Sequence, residues 1–373
     1  MSLSPTETAR YARHLALAEF GVAGQQKLKT ARVLVVGAGG LGSPAALYLA
    51  AAGCGTLGLA DYDRVELSNL QRQILFDTRV LGQPKAEAGR ARLAALNGDI
   101  RLVAHQVRVT AANVRDLISP YDLVLDGSDR LSTRYLINDT CVLLGRALVS
   151  AAIHRFEGQL MSYLPGAAPC YRCVFPDARD GMVANCAEAG VLGVLPGVLG
   201  TLQATEAIKL ITGIGEPLLG RLLLYDALAL RFDELRTQRR RDCAVCGESP
   251  SITEPKDPEP MRDDGLRRLS AADLHRLLEE AGAAPPLLVD VREPHEFSAG
   301  HLAGSLSIPL GTLPQRLAEI AIKGDTPVFI CRSGGRSLAA CQMALAANIA
   351  SPANLEGGLM AWSATIDPTL RVV

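Results

Sequence analysis

Short apolar runs alternate along this chain with longer stretches of helical period. Ala31 to Val36 reads as a buried strand and leads into Gly37-Ala38-Gly39-Gly40-Leu41-Gly42. A helix is expected next, with Ser43 as its cap, Pro44 in its first turn and Gly53 at its end. Thr56 to Ala60 reads as a second strand, closing at Asp61. Apolar runs at Tyr121 to Leu125 and Ala147 to Ala152 alternate with helical stretches near Gln83 to Leu96 and Thr133 to Leu144. The alternation predicts an α/β fold built on a mostly parallel sheet.

Between Glu248 and Asp264 the pattern stops. Pro250, Pro255, Pro258 and Pro260 fall among charged residues, which predicts an extended, semi-stiff linker. Behind it the α/β pattern restarts: a helix at Ala271 to Glu280, strands at Leu287 to Val291 and Pro327 to Ile330, and a helix at Ser337 to Ala347. The expected organisation is a first domain over 1–249, a linker over 250–264 and a smaller α/β domain over 265–373.

At 373 residues both domains can bury a core. Hydrophobic residues make up 48% and charged residues 21%, with a formal net charge of -1. So balanced a charge gives no support to nucleic-acid binding. Val33 to Ala60 carries no charge, but its seven glycines and Pro44 suit turns rather than a membrane-spanning helix. No basic segment followed by an apolar one opens the chain, so a cytoplasmic location is expected. Nine cysteines are too few for a disulfide scaffold.

Gly37-x-Gly39-x-x-Gly42 between a strand and a helix is a dinucleotide-type fingerprint, and Asp61 stands where an acid can take ribose hydroxyls. By themselves these features also fit an NAD-dependent dehydrogenase, or a tight turn with no ligand. The next stretch differs from a dehydrogenase: Asp61-Tyr62-Asp63-Arg64-Val65-Glu66-Leu67-Ser68-Asn69-Leu70-Gln71-Arg72-Gln73 offers an arginine and amides to a triphosphate, and Lys85 adds a cation. Asp129, beyond Asp126-Gly127-Ser128, can hold a magnesium ion or cap the following helix.

These residues resemble the MoeB/ThiF adenylyltransferases, bacterial relatives of ubiquitin-activating enzymes. The resemblance continues through Arg155-Phe156-Glu157-Gly158-Gln159, Pro169-Cys170-Tyr171-Arg172-Cys173, Cys186-Ala187-Glu188-Ala189-Gly190-Val191 and Cys243-Ala244-Val245-Cys246-Gly247. It implies a Rossmann-like domain in which Gly40, Asp61, Ser68, Asn69, Leu70, Gln71, Arg72, Lys85, Asp129 and Arg130 bind ATP and Mg2+. It also implies a homodimer in which Arg13 reaches the phosphates held by the partner subunit. Arg130 stands where many relatives have asparagine.

Two Cys-x-x-Cys pairs, Cys170/Cys173 and Cys243/Cys246, fit a four-cysteine Zn2+ site of structural type. Either pair taken singly also fits a redox motif. Cys186 stands apart: the resemblance places it on a mobile loop beside the adenylate, as a nucleophile or as the acceptor of an acyl disulfide. A buried, inert cysteine is the bland alternative.

In the second domain, Cys331-Arg332-Ser333-Gly334-Gly335-Arg336-Ser337 lies between a strand and a helix, where backbone N–H groups converge on sulfur. With Asp290-Val291-Arg292-Glu293-Pro294-His295-Glu296-Phe297, Gly300-His301-Leu302, Gly357-Gly358 and Trp362, this resembles a rhodanese sulfurtransferase. It implies that Cys331 carries a persulfide, with Arg332 and Arg336 assisting. His295 and His301 read as structural. The spacing from this cysteine to Arg336 is one residue shorter than in the tyrosine phosphatases.

Joined, the halves resemble MoeZ-type fusions. The implied function is adenylation of the Gly-Gly C-terminus of a β-grasp sulfur carrier, such as the small subunit of molybdopterin synthase, in molybdenum cofactor biosynthesis. Sulfur from Cys331 then gives a thiocarboxylate. Thiosulfate or a cysteine desulfurase would be the donor. The competing expectation is a ubiquitin-like-modifier activating enzyme that forms a thioester and uses the rhodanese domain for docking.

Overall fold

The computed structural model describes residues 2–176, 190–257, 266–280, 285–322 and 326–372. These form two compact units that meet in sequence in the segment after Asp257.

The first unit is built on an eight-stranded sheet: β1 (Arg32–Val36), β2 (Thr56–Ala60), β3 (Arg101–His105), β4 (Leu123–Asp126), β5 (Ala147–His154), β6 (Glu157–Tyr163), β7 (Arg221–Asp226) and β8 (Arg231–Arg236). The spatial order is β3-β2-β1-β4-β5-β6-β7-β8. The five strands β3 to β5 run parallel, and the last three are added antiparallel.

The apolar run of β1 is continuous because both faces of the strand are covered. Val33 and Val35 enter one core, while Leu34 and Val36 enter the other. On the first face the helix Gly42–Ala52 packs against the long helix Val194–Thr212. Their approach needs Gly200, where a Cβ would stand 2.3 Å from the Leu41 carbonyl oxygen.

Gly53 ends its helix in the left-handed conformation, φ +85, as expected. Ser43 does not cap: Gly42 is already the first helical residue, and the Ser43 hydroxyl instead donates to the Ala38 carbonyl at 3.1 Å. The last strand of the antiparallel extension has no counterpart in the apolar pattern. Arg231 to Arg236 mixes charge with two apolar residues and is exposed throughout, so it carries little burial signal. Ile252 packs beside Cys246, and Asp257 accepts the Ala111 N–H at 2.7 Å. The described part of the proline-rich segment therefore lies along the first unit rather than free in solvent.

The second unit has five parallel strands, β9 (Arg267–Leu269), β10 (Leu287–Asp290), β11 (Leu306–Ser307), β12 (Pro327–Ile330) and β13 (Ala353–Leu355), in the order β11-β10-β12-β13-β9. Val289 and Phe329 face one core, and Leu288, Val328 and Ile330 the other, which contains Trp362. No described helix is long and apolar enough to cross a membrane.

The turn after β1 is among the tightest points of the first unit. A Cβ on Gly42 would lie 1.8 Å from the Gly37 carbonyl oxygen, backbone that has nowhere to move. Gly42→Ala should cost the first unit about 3 kcal/mol or more. Thermal unfolding with a signal specific to that unit checks this.

Candidate active sites

Parallel topology fixes where the first site lies. Strand order reverses between β1 and β4, and ligands of such sheets bind beyond the C-terminal ends of the strands at that point. Here the glycine turn after β1 and the loop after β4 are in backbone contact. A Cβ on Gly37, φ +88, would meet the Gly127 carbonyl oxygen at 2.8 Å.

Asp61 closes β2 and turns toward this corner. One of its carboxylate oxygens accepts the Ala38 N–H, and the other the Asp63 N–H, both at 2.8 Å. Burial pushes its pKa up, against the Asp63 N–H and the Lys85 charge. Asp63 also bonds through its backbone carbonyl to the Lys85 N–H, at 2.9 Å, and its carboxylate lies 3.4 Å from the buried Lys85 Nζ. Lys85 is thus delivered to the Asp61–Asp63 corner by the start of its own helix, Lys85–Leu96.

The polar run folds as a single turn, Leu67–Asn69, held by the Asn69 side chain accepting the Glu66 N–H at 3.2 Å. Ser68 is exposed and its carbonyl accepts Arg72 Nη1 at 3.1 Å. The Arg72 stem passes 3.6 Å from where a Gly40 Cβ would be, and Gln71 abuts Gly193. Leu70 is half-buried beneath them. Gly40, Asp61, Ser68 to Arg72 and Lys85 are therefore one constellation. Gln73 joins it: it is buried, its Nε2 lies 3.7 Å from the Gly39 Cβ position, and its Oε1 has no partner among the described residues. Its only signal in the sequence is its place at the end of the run.

Asp129 is exposed and does not cap the helix Leu131–Leu144; Arg130 occupies that position without a side-chain cap bond. The Asp129 carboxylate is thereby left for another role. Arg13 is not brought to the constellation within one chain. Its neighbour His14 bonds Gln25, which bonds the Ala52 carbonyl at the far end of the Gly42–Ala52 helix, roughly 15 Å along the helix axis from the glycine turn.

Cys170, Cys173, Cys243 and Cys246 come together as expected, with all four sulfurs within 4.8 Å of one another. Four of the six sulfur–sulfur separations run from 3.3 to 3.9 Å. A tetrahedron with bonds of about 2.3 Å has edges of about 3.8 Å, so the cage can hold a metal ion of the zinc kind. Hydrogen bonds to Cys170 and Cys173 pull the Cys243 thiol far down, which favours a thiolate there.

Burial separates the remaining thiols. It pushes Cys54 and Cys341 up to about 12 and Cys141 higher still, leaving them inert. Cys186 lies outside the described residues.

Cys331 follows β12 directly and is wholly buried. Its sulfur accepts the Gly334 N–H at 3.1 Å and lies 3.3 Å from the Ser337 hydroxyl. The helix Gly335–Ala346 starts at this point and adds its positive end. The loop is pinned from behind by Gly358, φ +58, where a Cβ would stand 2.4 Å from the Cys331 carbonyl oxygen.

Arg336 is held by the scaffold. Its guanidinium is buried in a two-pronged pair with Glu296, at 2.7 and 2.8 Å, and does not point at a sulfur donor. Arg292 makes a similar buried pair with Asp290. His301 stacks on Phe297 at 3.8 Å, in keeping with a structural role, and His295 is exposed.

Burial would raise Glu296, but the Arg336 hydrogen bonds and the Glu293 N–H outweigh it, and its pKa falls below the ordinary 4.5. The pair's contribution is thus complete above pH 4.5 and is lost as pH falls through the lowered value. Glu296→Gln, which strands a buried guanidinium, should cost the second unit about 3–5 kcal/mol at pH 7 and flatten its acid sensitivity. Thermal melts across pH test both.

Residues 11–245 match the ThiF family, and residues 270–365 match the rhodanese-like domain. The adenylyltransferase and sulfurtransferase MOCS3 of Sus scrofa is 44% identical, over 99% of this chain and 88% of its own length. That of Aedes aegypti is 42% identical over 99% and 90%, and MOCS3-2 of Zea mays 41% over 97% and 80%. Among solved structures, Escherichia coli MccB with ATP aligns with a TM-score of 0.56 at 24% identity, over 64% of this chain and 74% of that one. PaaA aligns at 0.55 and 23%, over 63% and 84%. These two share the fold of the first unit. The chain belongs to the ThiF family and, with a rhodanese-like domain behind it, to the adenylyltransferase and sulfurtransferase enzymes in which the two are fused.

Proposed function

We propose that the first unit activates the C-terminal Gly-Gly carboxylate of a β-grasp sulfur-carrier protein, of the kind that serves molybdopterin synthase, and that Cys331 supplies the sulfur. The observation that carries this reading is the pairing, in one chain, of the nucleotide constellation with a sulfur atom held by Gly334 N–H and Ser337 Oγ.

In the first step a carboxylate oxygen attacks the α-phosphorus of ATP, the bond to the β-phosphate oxygen breaks, and pyrophosphate leaves. Carboxylate oxygen is a poor leaving group, and the mixed anhydride replaces it with AMP. The protein's part is to place cations around the growing phosphate charge. Arg72 and Lys85 fill that role from one chain. Arg13 would fill it from the partner subunit of a homodimer, which accounts for its distance from its own glycine turn. Asp61 would take ribose hydroxyls, Gly40 and the Ser68 to Gln71 turn would line the nucleotide, and Asp129 with Arg130 would face the phosphates. Asp129 would hold Mg2+, which would supply positive charge against that of the phosphates.

In the second step the Cys331 thiolate takes the outer sulfur of a donor such as thiosulfate, and sulfite leaves. The terminal sulfur of the persulfide attacks the acyl carbon and AMP departs, giving an acyl disulfide. A second thiol, for which Cys186 is the candidate, attacks the Cys331 sulfur and releases the thiocarboxylate. The disulfide formed is then reduced by cellular thiols, which fits a cytoplasmic setting. Zn2+ in the four-cysteine cage would hold the 170–173 turn to the 243–246 turn.

Incubation of a Gly-Gly carrier with enzyme, ATP, Mg2+ and thiosulfate should give the mass change of one oxygen replaced by sulfur. Cys331→Ala should abolish it with thiosulfate as sole donor while ATP–pyrophosphate exchange persists. A thiocarboxylate formed by Cys331→Ala would sink the sulfur role of this residue. Lys85→Ala and Arg72→Ala should slow exchange by about 10²–10³-fold. Wild type should release one equivalent of zinc on thiol modification, and Cys173→Ser none, by colorimetric assay.

A further inference from the structure

The helix Leu131–Leu144 begins two residues after Asp129 and carries Arg134 and Tyr135 in its second turn and Asn138 and Asp139 one turn further on. The cysteine turn sits on these four. Asn138 Oδ1 accepts the Tyr171 N–H at 2.7 Å, and Asp139 accepts two hydrogen bonds from Arg172, at 2.7 and 2.8 Å. The Arg172 guanidinium lies 4.3 Å over the Tyr135 ring. The Tyr171 ring, between two cage cysteines, lies 5.6 Å from the Arg134 guanidinium, and both residues are buried.

Arg134 turns its other side to the nucleotide loop. Its Nη2 donates to the Ser128 carbonyl at 2.7 Å, and its Nε stands 3.5 Å from an Asp126 carboxylate oxygen. Asp126 in turn accepts the Ser128 N–H at 2.9 Å and the Ser128 hydroxyl at 2.6 Å. The Ser128–Asp129 peptide is therefore gripped on its buried side, while the Asp129 side chain projects into solvent. A lysine could balance the charge of Asp126. It could not bond the carbonyl, face the carboxylate and present a flat surface to Tyr171 at once, as a guanidinium does.

We propose that Arg134 is a positioning residue that aims Asp129 at Mg2+·ATP, and that Tyr171 of the cysteine turn holds Arg134 in that position. The inference rests on the magnesium role proposed for Asp129. It makes the cysteine turn a support for the nucleotide site as well as a closure of the fold.

The test measures ATP binding by calorimetry with and without Mg2+, so that the Kd ratio reports the magnesium contribution independently of turnover. Arg134→Lys keeps the charge beside Asp126, and unchanged zinc content and melting temperature verify its folding. Arg134→Lys should cut the ratio by about 10-fold while leaving magnesium-free binding unchanged, and Tyr171→Leu should move it the same way. Arg134→Lys combined with Asp129→Asn should be no worse than Asp129→Asn. An unchanged ratio in Arg134→Lys, equal losses with and without Mg2+, or additive effects in the double variant would overturn the proposal. An unchanged ratio in Tyr171→Leu would remove Tyr171 from it. If Asp129→Asn itself keeps the wild-type ratio, the magnesium reading of Asp129 fails, and the proposal with it.

Discussion

Backbone lying against backbone, with no side chain between, is the constraint on which the first unit depends. Gly37 presses on Gly127, and Gly42 presses on Gly37. This contact brings the ends of β1 and β4 close enough for one ligand to touch both loops. It also leaves the amide of Ala38 free to meet Asp61, which ties in the end of β2. Three strands thereby deliver three kinds of group to one corner: unhindered amides, a carboxylate, and a loop carrying a second carboxylate. Lys85 and Arg72 are added from turns that bond to this frame.

The second unit solves a related problem with a different emphasis. Again a parallel strand ends at a loop with a helix behind it, and again glycines allow the backbone to close in. There the converging groups surround a sulfur atom rather than a phosphate, and the two buried arginines, Arg292 and Arg336, are spent on carboxylates of the scaffold. The Gly334 N–H and the start of the following helix are turned to the Cys331 sulfur instead.

The elements that the chain advertises are those buried on both faces. Val33 to Val36, Leu287 to Asp290 and Pro327 to Ile330 could be read because nothing but a covered strand explains such runs. Gly53 could be read as a helix end because few residues accept φ +85. What escaped were β3, β6 and β7, the short strands β9, β11 and β13, β8, whose exposed residues make no demand on a core, and the cap of the Gly42–Ala52 helix, which depends on where a turn happens to tighten. The chemistry was legible where spacing carries it, as in the cysteine pairs and the Ser68 to Arg72 run. Arg134 and Arg336 were opaque in their roles, because an arginine on a helix reads the same whether it meets solvent, a substrate or a buried partner. Only the fold says which.

The Cys331 sulfur has no surface of its own. A thiol so enclosed is a poor target for peroxides and bulky electrophiles, and a poor attacker of an acyl group on another protein. Adding one sulfur extends it by a bond of about 2 Å. In the proposed cycle, loading therefore puts the sulfur that reacts with the acyl group one bond further from the Cys331 backbone than the empty thiol stands. Depth of burial thus bears on which sulfur reacts, as well as on how acidic the thiol is.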